Sequence, residues 1–262
     1  MFSSFRSLWT QVFPPPPLFT DKNLPSLLGK VYIVTGSNTG IGKEVAQVLF
    51  SKDAKVYAAA RSEDKGQLIF LPLNLSDLTT IKTSAKIFLS KEDKLHVLFN
   101  NAGVMTPPTG SKTVQGYELQ LGVNAIAPFL FTKLLTPTLL STAKTEPPNT
   151  VRVVWVSSVT METGAPRSVG IPLDKLDQLA STSPQYVNYA ISKAGNYLYA
   201  VEFAKRYKDV TNMEPGTWII PWGRFAPVRK DLVEATKTEE EGGNGTALKF
   251  WEWTEKQIKP YL

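Results

Sequence analysis

Cysteine is absent from this 262-residue chain. That removes disulfides, thiolate nucleophiles and every cysteine-ligated zinc or iron–sulfur site. Histidine occurs once, as His96, so Ser-His-Asp chemistry and multi-histidine metal sites are nearly excluded and no metal is expected. Any catalysis has to come from Ser, Tyr, Lys, Asn or carboxylates. A basic stripe interleaved with aromatics is missing as well. The 29 Lys and Arg exceed the 23 Asp and Glu by a formal +6, but they are scattered, and the one dense charge run is the acidic Glu239–Glu241. Nucleic acid is therefore not an expected partner. No apolar run reaches the ~18 residues of a membrane span. Met1–Phe13 carries one Arg, with neither a long apolar centre nor a small-residue cleavage site, and so reads poorly as a signal peptide. A cytoplasmic chain without a membrane span is the expectation.

What is present suits a globular protein: 42% hydrophobic residues and 20% charged ones, in a chain long enough to bury a sizeable core. Four consecutive prolines, Pro14–Pro17, favour a stiff extended segment that no helix accommodates. Residues 1–28 are expected to form an N-terminal arm, a spacer with an SH3-type ligand as the alternative, and residues 29–262 a single domain. From Lys30 onward apolar runs alternate with helical patterns. Strands are expected at 31–35, 55–60, 68–73, 97–99 and 151–156, with a late one at 218–220. Helices are expected at 43–51, 114–140 (interrupted near Pro128), 189–207 and 245–259. Strands alternating with helices argue for an α/β fold of the doubly wound kind, a parallel sheet covered on both faces.

Several residues can carry chemistry. After the first strand comes Gly36-Ser-Asn38-Thr39-Gly40-Ile41-Gly42, and then a helix. Strand, glycine-rich turn and helix in that order are what a dinucleotide pyrophosphate requires. Glycines close the turn and admit phosphate to backbone, and the helix N-terminus supplies unpaired N–H groups. An ordinary glycine-rich turn is the plain alternative. At the tip of the second strand, Ala60-Arg61 stands where a cofactor without a 2′-phosphate would want an acid. A guanidinium suits a 2′-phosphate, so NADP is favoured over NAD. Tyr189 and Lys193, at i and i+4, share one helix face. An ammonium near a phenol favours the phenolate, and the pair can exchange a proton with a carbonyl or hydroxyl during hydride transfer. Ser157-Ser158 ends the fifth strand, as a substrate-oxygen ligand or as a plain turn or cap. Asn100-Asn101-Ala102-Gly103 ends the fourth, where it could line a cofactor cleft or satisfy a turn. His96 reads as structural.

Taken together, Thr35-Gly36-x-x-x-Gly40-x-Gly42, Asn100-Asn101-Ala102-Gly103, Ser158 and Tyr189-x-x-x-Lys193 occur in the order found in the classical short-chain dehydrogenase/reductases, which the chain resembles. Ile219–Arg224 and Phe250–Trp253 are most similar to retinol-dehydrogenase-like members from filamentous fungi, which often act in secondary-metabolite pathways. The resemblance implies a Rossmann-type domain holding NADP through Gly36, Asn38, Thr39, Gly40, Ile41, Gly42, Arg61, Asn74, Asn101, Ala102, Gly103, Tyr189 and Lys193. Asn74 stands where the family usually has an aspartate. Lys133 is carried over as a further cofactor contact. Tyr189 is implied as proton donor and acceptor. Lys193 is implied to lower its pKa and hold the nicotinamide ribose, Ser158 to orient the substrate oxygen, and Asn124 to support Lys193 through a water. The substrate is implied to be an apolar small molecule, and the assembly a homo-oligomer.

Two pieces of that fold look missing. Only Ser62–Gly66 separates Arg61 from Gln67, too few residues for the crossover helix of a parallel pair. The third strand is accordingly expected to be misplaced or poorly covered. After Tyr207 only Lys208–Thr217 precedes Trp218, where the family would supply a sixth strand, a Pro-Gly turn and a substrate lid. Two functions follow as alternatives: an NADP(H)-dependent oxidoreductase, or an impaired relative that binds dinucleotide or a partner without turnover.

Overall fold

Val31–Thr35 is apolar along its whole length apart from the final threonine, and all five residues are buried, the mark of a strand covered on both faces. In the computed structural model, which describes residues 9–11, 13–62, 68–208 and 217–262, this strand, β1, is the centre of a five-stranded parallel sheet. It is followed by α1 (Gly40–Phe50), β2 (Lys55–Ala60), β3 (Ile69–Pro72), α2 (Leu78–Leu89), β4 (Val97–Asn100), α3 (Leu119–Ala143), β5 (Arg152–Trp155), α4 (Thr160–Gly164), α5 (Leu179–Thr182) and α6 (Gln185–Arg206). Strand order across the sheet is β3-β2-β1-β4-β5, and every pairing is parallel. The chain winds outward from β1 to β3 and then returns to lay β4 on the other side of β1. The strand order therefore reverses between β1 and β4, and ligands of open parallel sheets bind beyond the strand ends at such a reversal.

Alternate residues of β1 enter two cores, as the period of a strand demands. Val31 and Ile33 join the larger one, with α2, α3, α6 and the last helix of the chain. Tyr32 and Val34 join the smaller, whose helical contribution is Ala46, Leu49 and Val45 of α1. Phe99 and Val154 are only partly buried on that second face, so the sheet is clothed unequally.

Three expectations need correction. The third strand is not misplaced: β3 pairs with β2 over Tyr57↔Ile69 to Ala60↔Pro72. Leu71 and Leu73 are buried, Ile69 and Phe70 are half-buried, and α2 lies against the strand with the Ser84 hydroxyl donating to the Pro72 carbonyl. Most of the short crossover, residues 63–67, lies outside the described residues. The late strand lies where it was expected, at 218–220, and outside the parallel sheet. It is β6 (Trp218–Ile220) of an antiparallel hairpin with β7 (Arg224–Ala226), followed by α7 (Lys230–Ala235) and α8 (Thr246–Ile258). The Pro-Gly pair at 215–216 also lies outside the described residues. A helix, α2, stands where none was expected, started by Asp77, whose carboxylate accepts from Thr79 N–H. Finally, α3 is long and apolar enough to cross a membrane by length and composition, against the expectation that no such run exists. In its most apolar window, 72% of the residues are buried inside the protein, so it is the core helix of the sheet's larger face.

The interruption expected in α3 near Pro128 is a π turn over Gly122–Ile126, where Ala127 N–H donates to Gly122 O. The wider turn precedes Pro128, whose ring nitrogen has no hydrogen to give. At the opposite end of the sheet, His96 Nδ1 accepts from Val31 N–H (3.0 Å) and Nε2 lies 3.4 Å from Glu146. Burial lowers its pKa, and it is structural, as read from the sequence.

Candidate active site

One hydroxyl ties the two central strands together at the reversal point. Thr35 Oγ1 donates to Phe99 O (3.1 Å) and accepts from the N–H groups of Asn101 (3.0 Å) and Ala102 (2.9 Å), while Asn101 Nδ2 donates to Thr35 O (2.9 Å). Gly36 follows at φ +71°, and a Cβ there would come within 2.8 Å of the Ala102 Cα. Only glycine closes this bend. Gly40, at φ +57°, is the reverse case: its missing Cβ would meet nothing within 4 Å, so the backbone stands open. Thr39, the N-cap of α1, makes no side-chain cap, which leaves the helix's first N–H groups without a side-chain acceptor among the described residues.

The bend floors a cleft of about 580 Å³. Gly36, Asn38, Thr39, Ile41, Gly42, Arg61, Asn74, Asn101, Ala102 and Gly103 line it, which brings together ten of the residues picked out in the sequence. Ser76 and Lys112 line it too and went unnoticed, since neither belongs to a strand end or a glycine turn. None of the described residues lining it is acidic. Lys133 is not brought to the cleft. It lies on the face of α3 that meets the C-terminal helix, paired with Glu255 (2.9 Å) and set over the Trp251 ring. Helical spacing placed it on α3 but could not say which side of the sheet that face addresses.

Beyond β5, Ser158 meets α6. Its hydroxyl accepts from Thr160 N–H (3.2 Å) and stands near enough to Tyr189 to act on the phenol's pKa. The two serines diverge: Ser157 Oγ donates to Lys193 O (2.7 Å) and so points into the scaffold. Lys193 is 4% exposed, with Nζ 5.6 Å from the centre of the Tyr189 ring and donating to Val156 O (2.8 Å). Burial pushes its pKa down to about 8. Burial raises that of Tyr189, opposed by the Ser158 hydrogen bond. Burial is the larger influence on the phenol here, and the Lys193 ammonium is not among the causes of its shift.

Asn124 sits in the π turn. Its amide donates to Val104 O (2.9 Å) and Ser192 Oγ (3.0 Å) and accepts from Val104 N–H (2.7 Å). Ser192 in turn donates to Tyr189 O (2.7 Å), a link with no local signal in the sequence. A Cβ on Gly103 would lie 3.1 Å from Asn124 Oδ1 and 3.6 Å from Lys193 Nζ, so the cleft and the Tyr–Lys pair are contiguous at Gly103. Farther along, Arg229 fastens the segment after Ser158, with Nη1 donating to Met161 O, Glu162 O and Ala165 O at 2.8–3.2 Å.

The site fits a dinucleotide on its own terms. The open backbone at Gly40 and the uncapped α1 end suit a pyrophosphate. The buried Lys193 ammonium has three N–H donors and, among the described residues, one acceptor, which leaves donors for ribose hydroxyls.

Comparison with known proteins points the same way. A model of the short chain dehydrogenase family matches residues 30–169. A short-chain dehydrogenase/reductase of Phomopsis amygdali is 41% identical over 337 aligned positions spanning 100% of both chains. One from Phaeosphaeria nodorum is 47% identical, covering 78% of this chain and 71% of its own. Among solved structures, an uncharacterized protein from Mycobacterium paratuberculosis superposes with a TM-score of 0.72 at 25% identity, over 92% of this chain and 97% of that one. A short chain dehydrogenase of Shigella flexneri 2a, complexed with NADP, gives a TM-score of 0.53 at 20% identity over 71% and 74%, a likeness of fold alone.

Proposed function

Because the chain belongs to the short-chain dehydrogenase/reductase family, a family of oxidoreductases that bind a nicotinamide dinucleotide, we propose that it interconverts a carbonyl and an alcohol on an apolar small molecule with NADP(H). The observation that carries this reading is the convergence of Ser158, Tyr189 and Lys193 at Gly103, where the cleft ends. A nicotinamide bound at that end would supply or accept the hydride. Tyr189 Oη gives its proton to the substrate oxygen in reduction and takes it back in oxidation. Ser158, beside the phenol, orients that oxygen, and Lys193 holds ribose hydroxyls and adds positive charge near the phenol once both are enclosed. Arg61 in a cleft wall without described carboxylates favours the 2′-phosphate, and hence NADP. NADPH oxidation with a panel of ketones and aldehydes tests the reading. Tyr189→Phe should cut turnover by about 10²-fold or more while leaving NADPH binding within roughly twofold. No turnover by the intact protein, or turnover indifferent to Tyr189→Phe, defeats it.

A second reading is favoured by one pair of observations. The described parallel sheet ends at β5, and the relative from Phomopsis aligns over 337 positions against the 262 residues here. The first supports a chain that lacks a sixth parallel strand with its lid, and the second supports missing segments, of which the short β2–β3 link is the other candidate. Such a chain binds the adenosine half of the cofactor but holds the nicotinamide loosely, and small misplacements at the reacting carbon cost about a hundredfold. Thermal stabilisation by NADPH without turnover distinguishes this reading from the first. The similarity to retinol-dehydrogenase-like fungal members, a place in secondary metabolism, a cytoplasmic location, homo-oligomerisation and the division at residue 28 belong to the same proposal.

A further inference from the structure

We infer that Lys112 is a second phosphate-reading cation of the adenosine end of the cleft, acting with Arg61 on the 2′-phosphate. This deepens the NADP reading and rests on it. Lys112 stands on the loop between β4 and α3, far in sequence from the tip of β2, yet lines the same cleft as Arg61.

That loop is a built support. Lys112 and Glu118 form an antiparallel bridge, and Thr113 N–H donates to Tyr117 O (2.9 Å) and Leu119 N–H to Ser111 O (3.0 Å). Val114 N–H donates to Ser76 O (3.0 Å), and Gln115 bridges Asp77 Oδ1 (2.9 Å) and Leu78 N–H (3.1 Å). The base of Lys112 is thereby held against the Asn74–Ser76 wall, beside which the adenosine would lie.

The charge pattern calls for an anion. Neither nearby carboxylate serves Lys112. Glu118 is 3% exposed and accepts from Leu121 N–H (2.8 Å), and Asp77 accepts from Thr79 and Gln115. Among the described residues, neither Lys112 nor Arg61 has an ion-pair partner, and none of the cleft's described lining residues is acidic. Two cations lining one cavity, neither with an ion-pair partner among the described residues, give its wall a positive potential that favours a multivalent anion. Within a dinucleotide the extra dianion at this end is the 2′-phosphate, which an ammonium binds as a point charge while the guanidinium forks onto two oxygens.

The test uses only the adenosine half, so it does not depend on turnover or on how the nicotinamide is held. Adenosine 2′-monophosphate and adenosine 5′-monophosphate are titrated by calorimetry into the wild type, Lys112→Ala, Lys112→Gln and Arg61→Ala. The wild type should prefer the 2′-phosphate. Both Lys112 variants should shrink that preference by roughly fivefold, the worth of an exposed charge-assisted contact, with the 5′ ligand little changed. If Arg61→Ala alone erodes the preference, the role of Lys112 is overturned and the NADP reading stands. If the wild type shows no preference, or binds neither ligand, both fall.

Discussion

Replacing Thr35 by valine keeps the branching and nearly the volume of the side chain while deleting a single oxygen. Three hydrogen bonds go with it: the one to Phe99 O and those from Asn101 and Ala102 N–H, all 2.9–3.1 Å long. Nothing else in the described structure replaces that oxygen. A buried group stripped of its partner costs about 1–3 kcal/mol. Thr35 is 1% exposed, but Phe99, Asn101 and Ala102 are half-buried, so water relieves part of the loss and the total falls to about 2–4 kcal/mol. For a domain of this size each kcal/mol lowers Tm by roughly 2–4 °C, which predicts a drop of roughly 5–15 °C. Thr35→Ser is the control, since it keeps the oxygen and loses a methyl worth about 1 kcal/mol. Urea titration and calorimetry read both variants, and NADPH titration reads whether the cleft wall at Asn101–Gly103 has loosened. The reasoning is wrong if Thr35→Val lies within about 0.5 kcal/mol of wild type, or if the serine variant is as damaging as the valine.

Other perturbations have definite signs. Lys193 has a folded pKa of about 8 against an unfolded value near ~10.4, so in that window the unfolded chain binds the extra proton and wild-type stability rises with pH. Lys193→Met should therefore be the more stable protein at pH 7, on the order of 2–3 kcal/mol, with the gap closing near pH 10.5 and turnover lost. Equal stability at pH 7 contradicts a buried ammonium. Lys30 and Lys94 beside Glu146 hold its carboxyl down to about 2, a contribution complete above the unfolded value of ~4.3 and lost as pH falls toward 2. Glu146→Gln should flatten the acid limb of the stability curve over that range, and an unchanged limb excludes the pairing. Arg229→Ala strips a shared donor from three carbonyls behind Ser158. Amide exchange over 158–166 should quicken there more than in β1, whereas uniform quickening would mean general destabilisation.

The parts legible in the sequence were those whose chemistry is local. Gly36, Gly40 and Gly42 announce their bend because backbone conformation and close approach restrict those positions to glycine. Tyr189 and Lys193 announce a shared face because one helical turn separates them. Ser158 and Asn101–Gly103 were legible as strand ends. What depends on distant chain was not. Leu78–Leu89 hides its helix behind threonines and β-branched residues of weak helix propensity, and only the Asp77 cap with its acceptor geometry gives the start away. Trp218–Ile220 reads as a strand on any scale, but which partner it takes is decided by Arg224–Ala226 across a turn, not by its own composition. Lys133 shows the same limit within a helix, because periodicity gives a face and not the neighbour of that face. The third strand shows the limit of counting residues: a short link argued against its place, yet β2 offered a free edge directly beside it.

The unequal clothing of the sheet reaches beyond the cleft to the thermodynamics of the whole chain. With α1 as the helix of the smaller core and Phe99 and Val154 half wet, unfolding hydrates less new hydrocarbon than a fully wrapped sheet of similar length would. Both the urea slope and the heat-capacity increment track that area. The melting curve should accordingly be broad, with resistance to cold better than its resistance to heat would suggest.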